Sequence, residues 1–171
     1  MSKLREAREL LAVNGVTHDQ YHSDVSGCYC SIGALNMAYS GDPDGPAHDL
    51  VEAERSVEGL PENALSKRLE EYGEDIRRLY WAITGEEMKL PQGIRPHQKR
   101  HVIEEWNDRQ FDQAWQAAMN AVHPGTILPA DDIEVVRNRA TANVLEVWDR
   151  ALQRLAADEH TQLNQELQPN E

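Results

Sequence analysis

Apolar residues recur three or four positions apart along almost the whole chain, and no stretch sustains the apolar–polar alternation of a strand. β-Branched residues are nowhere clustered, and neither an internal repeat nor a low-complexity tract is present. The pattern predicts an all-α chain, a compact single-domain bundle of about six to seven helices around a buried central helix. The first helix is expected from Ser2, a natural N-cap, to Asn14, with Leu4, Ala7, Leu10 and Leu11 on its apolar face and Gly15 as its stop. Thr17 and Gln20 have capping-box spacing, which predicts a short turn carrying His18 to His22. The segment from Cys28 to Tyr39, CYCSIGALNMAY, is apolar nearly all round and is the predicted central helix. Its Gly33, Ala34 and Ala38 let neighbours approach closely, a packing reason for a glycine that otherwise costs a helix about 1 kcal/mol.

Beyond the turn residues 42–46 a further helix is expected from Ala47 to Val57. Pro61 can open the next one, whose stripe is Leu65, Leu69 and Tyr72, continued by Ile76, Leu79, Tyr80 and Ile83 up to Gly85. Residues 88–95 read as a loop. Pro96 is the expected start of another helix, with Val102, Ile103 and Trp106 inward and a break or bend where Asn107 and Gln110 repeat the cap spacing. A following helix carries Phe111, Ala114, Trp115, Ala118, Met119 and Val122, and residues 123–129 form a second loop. Asp131 and Glu134 cap the last and longest helix, with Ile133, Val136, Ala140, Val144, Val147, Trp148, Ala151 and Leu155 as its stripe. One domain over 1–158 and a polar, frayed tail over 159–171 complete the expected layout.

Charge changes the picture. The 171 residues hold 30 acids against 17 Lys and Arg, a net charge of −13, which disfavours direct binding to nucleic-acid phosphates. The charge is also segregated. Between Arg8 and Arg55 there is no Lys or Arg, while Lys89, Arg95, Lys99 and Arg100 stand in a stretch from Met88 to Ile103 that has no acid. An acidic surface beside a basic connector suits a charged protein partner, or imitation of nucleic-acid phosphates to occupy a protein that binds them; ordinary solubility charge is the plainer alternative. Two cysteines exclude a disulfide-stapled scaffold, and no run approaches the length of a membrane span. The charged N-terminus lacks a signal peptide's apolar segment, so a cytoplasmic protein is expected.

The helix ending in Asn-Gly, the Cys-x-x-Gly-Ala-Leu of Cys30, Gly33, Ala34 and Leu35, and the Trp-Asn-Asp of Trp106, Asn107 and Asp108 resemble a small uncharacterised helical family of actinobacteria and their phages. The resemblance covers about the first forty residues and a patch around 100–122. It implies an actinobacterial or phage source and proximity of Cys30 to the Trp-Asn-Asp turn; with such a source, the acidic helical chain is expected to be a phage accessory or host-interaction factor. It implies no activity.

Three constellations could carry chemistry. Cys30 near a helix N-terminus is a candidate nucleophile for a small hydrolase or transferase, with Asn107 or Asp108 to orient a base; the plainer reading is a pair of small core cysteines. His18, His22, Cys28 and Cys30 are zinc-competent, with the histidines at i, i+4, although Cys-x-Cys at a helix start points its thiols apart. His97, His101, Glu104 and Asp108 fall within roughly 60° on a helix face away from the core and could dock a partner or an ion; a solvated face is the bland alternative. The four tryptophans sit on apolar stripes and read as core, and phosphate-loop, nucleophile-elbow and His-Glu-x-x-His signatures are absent, so the balance leans from enzyme to binding protein.

Overall fold

The computed structural model describes residues 2–17, 20, 22–23, 26–44, 62–122 and 130–166. These hold five α-helices and no strand: α1 (Lys3–Asn14), α2 (Ser31–Ser40), α3 (Glu62–Thr84), α4 (His101–Asn120) and α5 (Ala130–Glu166). A single 3-10 turn (Pro96–Lys99) precedes α4. The fold is all-α, with one α-helix fewer than the lower end of the expected range among the described residues. The expected helix over 47–57 and the loop over 123–129 lie outside them. None of the described helices is long and apolar enough to cross a membrane.

α1 starts where the sequence predicts. The Ser2 hydroxyl accepts from the Arg5 amide at 3.4 Å, and Gly15, at φ +82°, closes the helix by donating to the Leu11 carbonyl at 2.9 Å. A side chain at Gly15 would be strained by that φ, and its Cβ would lie 3.5 Å from Cys28 Sγ.

α2 begins three residues later than expected. Residues 28 and 29 are drawn into extended pairing instead: Tyr29 N donates to Gly15 O at 3.1 Å, Thr17 N to Tyr29 O at 3.0 Å, and Ser23 N to Cys28 O at 2.9 Å. These bonds occupy the backbone groups that a longer helix would have used. From Ser31 onward the prediction of a dry central rod holds, since Ile32, Gly33, Ala34, Leu35, Ala38 and Tyr39 are all buried. α1 and α4 pack against α2, while Tyr72 of α3 and Trp148 of α5 reach it with their side chains.

Two more expectations are corrected. Pro96 opens only the 3-10 turn, so His97 is not on the same helix as His101. α4 then runs unbroken through Asn107 and Gln110, because Asn107 turns its amide into the core rather than back onto its own helix start. Pro96 instead packs on Gly73, where an added Cβ would lie 3.4 Å from the ring, so this glycine allows the connector to lie close against α3. α5 buries Val136, Ala140, Val144, Val147, Trp148 and Ala151 as predicted, but stays helical to Glu166, into the stretch expected to fray. Its 37 residues correspond to about 55 Å of helix.

Candidate functional site

Cys30 is the N-cap of α2, and its Sγ accepts from the Gly33 amide at 3.2 Å. The next residue, Ser31, meets Asn107: the Asn107 Oδ1 accepts from the Ser31 amide at 3.1 Å and from its hydroxyl at 3.0 Å. Asn107 Nδ2 donates to the Thr17 carbonyl at 2.8 Å, and Trp148 Nε1 donates to Ser31 Oγ at 3.3 Å. Cys30 and the Trp-Asn-Asp segment therefore do come together, although that segment is helix rather than turn. The arrangement is a satisfied polar knot. Asn107 spends its amide on backbone and Ser31, so it orients no histidine.

The thiol is also poorly suited to attack. Cys30 is 4% exposed, and burial pushes it up to about 12. The Gly33 and Ile32 amides pull the other way, and the negative charges of Glu104 and Asp108 add to the rise. Those two half-buried acids thus lie within electrostatic reach of the positive end of α2, and Glu104 also pairs with Arg100 at 3.3 Å. His101 is exposed at the start of α4, and His97 is half-buried on the 3-10 turn, so the expected four-residue stripe is divided between two elements.

The zinc-competent residues are dispersed among other tasks. His18 lies outside the described residues. His22 pairs with Tyr29 in an isolated bridge and sets its ring 4.6 Å from the tyrosine ring, and Cys28 Sγ donates to the Asn14 carbonyl at 2.9 Å. Among the described residues no three His, Cys, Asp or Glu side chains gather as a metal would require.

A second polar network went unnoticed in the sequence. Tyr39 donates its hydroxyl to Asp75 at 2.8 Å, Arg78 donates to Asp75 at 3.0 Å and to Asp158 at 3.1 Å, and Arg154 pairs with Asp158 at 3.4 Å. It ties α2, α3 and α5 together. Its sequence signal is Asp75 itself, a carboxylate in the apolar stripe of Tyr72, Ile76 and Leu79. Desolvation raises the Asp75 carboxyl above the usual range despite the bonds from Tyr39 and Arg78, and burial beside Asp75 pushes the Tyr39 phenol up. The network floors an open groove of about 640 Å³ between the start of α1, α3 and the far part of α5. Glu70, Glu71, Glu74 and Glu159 line the walls, with Lys3 and Lys67 as the other basic groups beside Arg78. Lys3 is paired with Glu6 at 2.8 Å and Lys67 with Glu71 at 3.9 Å.

The chain matches a family of unknown function, DUF6197, over residues 2–123. It belongs to that family. Comparison with curated proteins and with solved structures finds no match. The family match ends before α5, yet Trp148 of α5 completes the knot that Asn107 and Ser31 build within the matched region.

Asn107→Ala should destabilise the fold by about 2–4 kcal/mol in urea unfolding, because it leaves the Thr17 carbonyl and the Ser31 amide buried without partners. Native Cys30 should react with iodoacetamide more slowly than a free thiol at neutral pH and reach the normal rate only after denaturation, as followed by mass spectrometry. Asp75 carries the opposite pH signature from a paired surface acid. Its folded-state affinity for a proton is raised, so its contribution is fully present below the unfolded-state value and is lost as pH rises through the folded-state value. Asp75→Asn should therefore gain stability relative to wild type as pH rises through that window, measured by paired unfolding curves.

Proposed function

We propose that the chain acts by binding a protein partner that presents Lys and Arg side chains, with the groove between α1, α3 and α5 as the receiving surface. The observation that carries this reading is the excess of acids around the groove as a whole, six carboxylates against Lys3, Lys67 and Arg78. On the floor Asp75 and Asp158 are met by Arg78 and Arg154, and the excess comes from the walls, where Glu70, Glu71, Glu74 and Glu159 stand. An incoming cation gains from unmatched negative charge there, and the net −13 of the chain speeds encounter with a basic partner. The actinobacterial or phage source that the resemblance implies would suit an accessory factor that captures a host protein, and the same acidity would suit occupation of a nucleic-acid-binding protein in place of phosphates.

The cysteine-dependent alternative draws less support. Its nucleophile is buried and held as a neutral thiol, and the amide it would need for orientation is already committed. A zinc-stabilised module would need His18 and a rearrangement of both thiols.

A fluorescent oligolysine should bind the full chain at low salt, weaken steeply as salt rises, and lose at least tenfold in affinity with Glu71→Lys combined with Glu159→Lys, read by anisotropy. Equal binding by that double variant, or none by wild type at low salt, would remove the groove from consideration.

A further inference from the structure

On the other side of the Glu70–Glu74 ridge of α3 lies a second, half-open pocket of about 370 Å³, bounded by the 3-10 turn. It exists because Gly73 lets Pro96 settle directly on the helix, which brings Arg95 and His97 opposite Arg77. The three side chains come from two elements and converge on one space. Each retains capacity for a ligand. Arg77 Nε is buried and makes no hydrogen bond; Glu74 Oε1 stands 3.2 Å away in a geometry that gives a charge contact only. Arg95 uses its backbone amide to bond Gln98 Oε1 at 2.9 Å, which fixes the turn, and the residue lines the pocket. His97 is half-buried and held below its ordinary proton affinity, first by burial and then by the charges of Arg95 and Arg100.

We propose that this pocket binds a small phosphate monoester, with the phosphate against Arg77, Arg95 and His97 and the hydroxyl or amino groups of the ester toward Glu70 and Glu74. Guanidinium groups match phosphate oxygens in shape and charge, and two of them line this pocket. The volume exceeds that of an inorganic phosphate and falls at the small end of ordinary ligand sites, which leaves room for an organic group. The two glutamates line the same pocket and are acceptors, so the organic group is one that carries donors. The pocket shares Glu70 and Glu74 with the acidic groove, but the test of the basic-partner reading uses Glu71 and Glu159, neither of which lines this pocket, so the two can fail separately.

The test follows the histidine ring signals of the full chain by NMR at constant ionic strength, with inorganic phosphate, glycerol 3-phosphate and glycerol as probes. Both phosphates should give saturable shifts at His97, raise its titration midpoint because a bound dianion stabilises the imidazolium, and leave His101 and His160 unmoved. Glycerol 3-phosphate should bind several-fold tighter than inorganic phosphate, and glycerol alone should do nothing. Arg95→Gln, an exposed position that the fold tolerates, should raise the His97 midpoint without ligand and weaken phosphate binding at least tenfold. Arg77→Lys should weaken it while keeping a charge on α3. Shifts that never saturate, that are equal in Arg95→Gln, or that appear alike at His101 and His160 would overturn the site. Equal affinity for the two phosphates would overturn its assignment to an ester.

Discussion

The carboxamide of Asn107 fixes the register on which the rest of the molecule depends. α2 is apolar nearly all round, so hydrophobic burial alone would tolerate several rotations of it about its own axis. Hydrogen bonds do not. Asn107 accepts from both the amide and the hydroxyl of Ser31, and Trp148 donates to the same hydroxyl. Buried polar groups demand partners with defined geometry, so these bonds select one rotation and one depth. With Ser31 so placed, the far end of α2 presents Asn36 to Tyr72 and Tyr39 to Asp75. The acidic groove is thus set by an amide on the opposite side of the central helix.

The fold class and the central rod were legible because they rest on apolar periodicity, which survives any detail of side-chain pairing. Helix starts were less so. CYC looked like helix because its residues are apolar, but Tyr29 takes its backbone bonds from Gly15 and Thr17, which are distant in spacing and invisible to a local pattern. Asn107 looked like a cap for a similar reason. Asn is common at helix starts, and only the position of Ser31 and Thr17 across the core reveals that its amide is needed inside. The pairing of Cys30 with the Trp-Asn-Asp segment came from resemblance rather than from spacing. The Tyr39–Asp75–Arg78–Asp158 chain had a visible trace, an acid within an apolar stripe, whereas its partners on α2 and α5 could be known only from the packed structure.

Membership of the family and integrity of the core have different extents along the chain. The matched region holds α1 to α4, but its interior is shared with Val144, Val147, Trp148 and Ala151 of α5. A smaller apolar cluster joins Phe111 and Ala114 of α4 to Val136 and Ala140 of α5. The matched segment and α5 therefore share their buried apolar clusters. The groove is likewise shared, since Asp158 and Glu159 belong to α5 and Glu70 and Glu71 to α3.

The hydrogen bond from Trp148 to Ser31 joins residues 117 positions apart. During synthesis α2 leaves the ribosome long before the helix that supplies Trp148, and contacts of such separation form late. For that interval α2 can pack on α1 and then α4 but lacks the indole of Trp148. A chain cut ahead of α5 would leave exposed the apolar side chains that Val136, Val144, Val147 and Trp148 cover in the complete core.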